Sequence, residues 1–218
     1  MPAAYAFDLY GTLVDFTSLR DRVAAVAADP AAFVDLWRAK QLQYSFLATL
    51  MERYLDFDEI TARALDVTCA TLAVALPAAA RAELSDAWTH LPAHPDVPAA
   101  LAALRARGTR MVVLSNGTPR ALERTVREAG IAGAFDALLS VAAVRAYKPR
   151  PAVYRLATEF FALAPERIGF VSSNGWDAAG AAAFGMRVFW CNRTGAPPEA
   201  IGPPPARTIR SLGELLEG

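Results

Sequence analysis

The chain has 218 residues, with 22 basic and 22 acidic side chains and a formal net charge of zero. That is enough for one generous domain or a core with a smaller inserted partner, and the cancelled charge argues against nucleic acid, which calls for a basic face. No apolar run approaches the roughly 18 residues of a membrane span, and the N-terminus enters a strand without a charged leader, so no membrane partner and a cytoplasmic location are expected. The cysteines, Cys69 and Cys191, are far apart and match no metal or redox spacing; they read as small buried hydrophobes of a reducing compartment.

Residues 5–9 have the aromatic and apolar character of a short buried strand, and Gly11 punctuates it. Asp8 falls at or near the strand's end. A carboxylate is costly to bury there unless something pairs with it, and in an open α/β sheet the carboxyl ends of strands are where ligands bind. Capping of the next turn is the plainer alternative. From residue 17 to about 91 the chain reads as helices. Phe33, Leu36, Trp37, Gln41, Tyr44, Leu47, Ala48 and Met51 keep helical spacing over 33–51. A second helix is expected over 58–75, with Ile60, Ala64, Leu65, Thr68 and Leu72 on one side, and a third after Pro77. The block ends in the breaker-rich segment 91–95.

From residue 96 the rhythm alternates. Helices are expected at 97–107, 119–129, 151–161 and 176–184, and strands at 110–114, 137–141, 168–172 and 187–190; residues 196–205 form a proline-rich loop. Such alternation implies a parallel sheet with right-handed crossovers. One strand before the helical block makes that block an insertion. The expected architecture is therefore α/β, a sheet domain of residues 1–14 and 95–218 with residues 15–94 as a helical cap beside Asp8.

Four polar clusters fall at strand ends on one rim: Asp8-Leu9-Tyr10, Ser115-Asn116-Gly117, Tyr147-Lys148-Pro149, and Ser172-Ser173-Asn174-Gly175-Trp176-Asp177. Each alone could be turn chemistry, and Asp177 could be a first-turn carboxylate favoured by the helix dipole. Together, with one lysine and two aspartates, they describe a site.

The order Asp, Ser/Asn, Lys-Pro, Ser-Ser-Asn…Asp resembles the haloacid dehalogenase superfamily. Within it, FDLYGTL (7–13), WRAKQLQYSFLATLM (37–51), LSNGTP (114–119), YKP (147–149) with Tyr154, and FVSSNGWDAAGA (170–181) resemble the L-2-haloacid dehalogenases, over nearly the whole chain. The resemblance implies a Rossmann-like core with a helical cap, hydrolysis of the carbon–halogen bond of short 2-haloalkanoic acids with release of halide ion, and a homodimer. Phosphatases of the superfamily carry a second aspartate two residues after the first and acidic residues in the last motif to hold magnesium. Here Tyr10 takes the first place, and only Asp177 is acidic in the second. Asp8 and Asp177 alone make a thin Mg²⁺ site, and Lys148 can balance their charge instead. A metal-free site with no cofactor is expected.

On this reading Asp8 attacks C2 of the substrate and forms an ester. Arg38, by resemblance, takes the departing halide; without the resemblance, an exposed cap arginine is the ordinary reading. Asn116 helps at the halide. Ser115, with the backbone N–H groups after Asp8 from Leu9 onward, holds the substrate carboxylate. Lys148 orients Asp8. Asp177, positioned by Lys148, Ser172 and Asn174, activates the hydrolytic water. Thr12 bonds near the nucleophile, and Tyr154 braces Lys148 or the carboxylate end. Tyr10, Leu42, Phe57 and Trp176 wall the substrate's alkyl group, with core packing an equal alternative for Phe57. Ala39 stands where the family often has glutamine, which bears on the width and polarity of the halide pocket. His90 and His94 are expected to be bystanders. The competing readings are a superfamily phosphatase, a dehalogenase with altered halide preference including fluoride, and a catalytically silent capped domain that binds an anion. The silent domain would be expected to lack Asp8 or Lys148, and both are present.

Overall fold

The computed structural model describes residues 2–217. Six strands form one parallel sheet: β1 (Ala4–Phe7), β2 (Arg110–Ser115), β3 (Ala137–Ser140), β4 (Ile168–Ser172), β5 (Arg187–Cys191) and β6 (Arg207–Ile209), in the order β3-β2-β1-β4-β5-β6. Between β1 and β2 come five helices: α1 (Leu19–Val23), α2 (Pro30–Leu50), α3 (Phe57–Thr71), α4 (Ala78–Ala87) and α5 (Val97–Ala106). Then α6 (Pro119–Glu128) precedes β3, α7 (Pro151–Phe161) precedes β4, and α8 (Gly175–Phe184) joins β4 to β5.

Strands covered by helices on both faces need apolar side chains on both. All four residues of β1 and all five of β4 are buried, as are the last five of β2. The outer strands are thinner. In β6 only Ile209 is buried, and β6 was not expected from the sequence at all, because three residues beyond a proline-rich loop carry no alternation to detect.

Helix boundaries follow from capping. Asp29 accepts from the amide of Ala32 at the start of α2 with Pro30 in the first turn, Asp56 accepts from Glu59 at α3, and Thr118 accepts from Ala121 at α6 ahead of Pro119. The helices expected at 33–51 and 58–75 are therefore displaced to 30–50 and 57–71.

This strand order places a topological switch beside β1. The chain leaves β1 towards β2 on one side, and leaves β4 towards β5 on the other. The two connections diverge above the β1–β4 pair, opening a crevice at the carboxyl ends of those strands. Asp8 follows β1 directly, and its amide donates to Val171 of β4 at 2.9 Å. Gly11, at φ 85°, then turns the chain away from the rim.

Helix α8 lies close over this rim because Gly180 lacks a side chain. A Cβ there would stand 2.5 Å from Pro149 Cβ and 2.6 Å from the Tyr154 hydroxyl. Gly180→Ala should therefore cost about 1–3 kcal/mol through overpacking, measured by urea unfolding; an unchanged midpoint would show that Tyr154 moves aside freely.

Candidate active site

Three loops at the strand ends meet on one ammonium group. Lys148, from the loop between β3 and α7, donates to Asp8 Oδ1 at 3.0 Å and to Asp177 Oδ2 at 2.8 Å. All three side chains are buried, Asp177 completely. Asp8 Oδ2 accepts from Thr12 Oγ1 at 2.9 Å and from Asn174 Nδ2 at 2.8 Å. Oδ1 thus carries one protein hydrogen bond and Oδ2 two. Asp177 accepts at Oδ2 from Ser172 Oγ at 3.0 Å as well as from Lys148, and at Oδ1 from the Tyr154 hydroxyl at 2.7 Å. One lone pair on Oδ1 remains uncommitted.

Electrostatics follow from that crowding. Burial pushes the Lys148 ammonium towards neutrality, but Asp177 and Asp8 outweigh it and hold the group protonated beyond the ordinary lysine range. Burial raises the Asp177 carboxyl; Lys148 pulls it back and the Asp8 charge adds to the rise, leaving it above the usual carboxylate value. Burial and the Asp177 charge raise Tyr154 far enough to keep its hydroxyl a donor.

A second cation faces this group from α2. Arg38 is 8% exposed, and its guanidinium carbon lies 5.6 Å from the centroid of Phe16 and 5.8 Å from that of Trp88. Among the described residues it makes one side-chain hydrogen bond, to Gln41 Oε1 at 3.3 Å, while its Nε is buried without a partner. No carboxylate pairs with it within salt-bridge distance among the described residues. Burial lowers its pKa, with Asp8 the largest opposing charge; an arginine stays charged regardless. The site therefore offers a buried guanidinium with spare donors within the electrostatic reach of a buried carboxylate.

Donors also gather on the other side of Asp8. Among the described residues, the amides of Leu9 and Tyr10 donate to no carbonyl. Ser115 is buried at the end of β2, its hydroxyl accepting from Gly117 at 3.3 Å. Asn116 Oδ1 accepts from the Lys148 amide at 3.2 Å, which leaves the donor end of its side chain available. A cleft of about 550 Å³, walled in part by Phe46, Leu50, Tyr147 and Trp176, reaches Lys148.

The residues do not fit a magnesium ion. The Lys148 ammonium already bridges the two carboxylates that such an ion would need, and no group of three or more His, Cys, Asp or Glu side chains is placed to hold a metal among the described residues.

A profile of the haloacid dehalogenase-like hydrolases matches residues 2–185. The (S)-2-haloacid dehalogenase H-109 of Pseudomonas putida is 43% identical over 97% of this chain and 95% of its own. Haloacetate dehalogenase H-2 of Moraxella sp. (strain B) is 42% identical over 98% of this chain and 96% of its own. The L-2-haloacid dehalogenase of Xanthobacter autotrophicus with chloropropionic acid covalently bound superposes with a TM-score of 0.92 at 34% identity, covering 100% of this chain and 98% of that one. The chain belongs to the L-2-haloacid dehalogenase family.

In this family member the fold brings Asp8, Thr12, Lys148, Tyr154, Ser172, Asn174 and Asp177 into one hydrogen-bonded cluster. Two expectations need correction. Asn174 was expected to position Asp177, and its backbone carbonyl does accept from the Asp177 amide at 3.1 Å, but its side-chain amide reaches Asp8 and the carbonyl of Tyr10. Arg38 is buried, which removes the alternative reading of an exposed cap arginine. Ala39 is exposed, since its neighbour Arg38 takes the inward face of α2, so it lines no halide pocket.

Of the expected apolar wall, Tyr10 and Phe57 stack at 6.1 Å, whereas Trp176 meets Phe46 at 5.2 Å, one helical turn beyond Leu42 on α2. His90 contacts Asp86 and Arg124, and His94 the carbonyl of Gly11, both away from Asp8. Sequence reasoning missed Phe16, Trp88, Phe46 and the role of Gln41. A buried glutamine three residues after Arg38 was the one available signal.

Lys148 lends its stability in full below the ordinary lysine pKa, and loses it as pH rises through the higher value of the folded protein. Lys148→Met should cost about 3–5 kcal/mol at neutral pH by leaving two buried carboxylates uncompensated. In urea unfolding followed against pH, the gap to the parent should narrow only above the lysine range; a gap already closed at pH 9 would contradict the geometry.

Proposed function

We propose that the enzyme hydrolyses short (S)-2-haloalkanoic acids to (R)-2-hydroxyalkanoic acids, with residues 15–94 capping the site. The observation that carries this reading is the buried Arg38 guanidinium, without a carboxylate partner among the described residues, whose strongest opposing charge is the Lys148-held carboxylate of Asp8. A nucleophile and an anion acceptor on opposite sides of one small space suit displacement at carbon.

Asp8 Oδ1, the oxygen with fewer hydrogen bonds, attacks C2 from the side opposite the halogen. The Oδ1–C2 bond forms as the carbon–halogen bond breaks, and the halide leaves with the electron pair towards Arg38. The amides of Leu9 and Tyr10, with Ser115, hold the substrate carboxylate, and Asn116 adds a donor. Tyr10 and Phe57, with Leu42 and Trp176, keep the alkyl group dry. Attack from behind inverts C2.

Water then attacks the carbonyl carbon of the Asp8 ester. Asp177 takes a proton from that water through its remaining Oδ1 lone pair and returns it to the departing alkoxide. The carboxyl reformed on Asp8 loses its proton to solvent, and its negative charge is again met by Lys148, Thr12 and Asn174. The covalently bound chloropropionic acid in the Xanthobacter relative supports an ester intermediate here.

Two routes give the same inverted product: direct attack by water, or the Asp8 ester. A single turnover of (S)-2-chloropropionate in H₂¹⁸O, with enzyme and EDTA in excess, separates them. The product hydroxyl should carry ¹⁶O and the Asp8 peptide the label, at an undiminished rate. Label passing directly into product would make Asp8 a general base, and a rate rescued only by Mg²⁺ would favour phosphatase-like chemistry.

A further inference from the structure

Arg38 is a long, flexible side chain, yet the chemistry above asks it to hold one aim. Among the described residues its side chain makes one hydrogen bond, to Gln41, three residues on and so on the same face of α2. Gln41 is completely buried, and a buried amide is retained only with its partners in place. Its Nε2 donates to Thr61 Oγ1 at 2.9 Å, and the Thr61 hydroxyl donates onward to the carbonyl of Phe57 at 2.7 Å.

The direction of this relay is fixed by donor arithmetic. The Thr61 proton is committed to Phe57, so Oγ1 can only accept, and Gln41 must present its NH₂ group to it. That turns Oε1 to Arg38, which can only donate. Both ends demand the same amide orientation. Thr61 is itself anchored twice, since its carbonyl accepts from the Trp37 indole at 2.9 Å. Trp37 packs edge-on against Trp88 at 5.5 Å, and Trp88 flanks the guanidinium.

We propose that Gln41, oriented by Thr61, is a positioning residue that aims Arg38 at the leaving halide. The proposal rests on Arg38 being the halide acceptor. A neutral amide suits the task. At 3.3 Å it tethers the guanidinium without neutralising it, whereas a carboxylate at that place would pair with it closely and bidentately and compete with the halide.

The test compares chloride and bromide release from (S)-2-chloropropionate and (S)-2-bromopropionate in single turnovers, with folding checked by circular dichroism. Chloride is the poorer leaving group, so its departure depends more on a well-aimed cation. Gln41→Met should slow chloride release on the order of 10- to 100-fold and bromide release less, raising the bromide-to-chloride rate ratio. Thr61→Val should shift the ratio the same way, and Thr61→Ser, which keeps the hydroxyl, should restore it. Should Gln41→Met fail to fold, the Thr61 pair carries the same comparison. Equal slowing of both substrates, or Thr61→Ser as impaired as Thr61→Val, would overturn the proposal in favour of a structural role. Arg38→Ala separates the two levels. If it slows chloride release while Gln41→Met does not, the positioning proposal alone fails; if Arg38→Ala is itself unimpaired, the halide assignment fails first.

Discussion

One ammonium shared between two buried carboxylates is the constraint on which this molecule turns. Lys148 stands 3.0 Å from Asp8 and 2.8 Å from Asp177, in a place where solvent cannot screen any of the three. Charges so placed are tolerated only when paired and hydrogen-bonded. Each neighbour can be understood from that need. Thr12 and Asn174 satisfy Asp8, while Ser172 and Tyr154 satisfy Asp177. The close seat of α8, made possible by Gly180, brings Asp177 to the ammonium in the first turn of a helix, where the dipole favours a carboxylate.

The sheet topology makes such a cluster attainable. Asp8, Lys148 and Asp177 lie far apart in sequence, but their loops leave β1, β3 and β4 at the same edge of one parallel sheet. The diverging connections of β1 and β4 open a crevice there. The remaining anchor comes from α2 and the segment that follows it. Thr49 accepts from the Tyr147 amide at 3.0 Å, and the Tyr147 hydroxyl donates to Leu55 at 2.6 Å. The loop carrying Lys148 is thus held from the sheet side and from the helical side together.

Arg38 supplies the complementary constraint. A guanidinium buried without a carboxylate is costly, and the faces of Phe16 and Trp88 offset only part of that cost. The unspent attraction is what an anion would find on arrival or at departure. Arg38 and Lys148 do different work because their surroundings differ: the charge of Lys148 is met by two carboxylates, while Arg38 has none within salt-bridge distance among the described residues and keeps its Nε unpartnered.

The sequence by itself determined the parts of this protein that depend on local pattern. The 151–161 helix and the 168–172 strand were located to the residue, because their apolar spacing and their Pro and Gly boundaries lie within a few positions of one another. The four rim clusters were also legible, since turn residues after apolar strands announce themselves, and the motif order carried the family. Tertiary structure alone decided the partners. The Asn174 side chain turned to Asp8, Phe46 met Trp176 edge-on, and Gln41 found Thr61 twenty residues away on another helix. Periodicity states which face of an element is buried. Which atoms meet on that face depends on the register between packed elements, and that is set by the whole core at once.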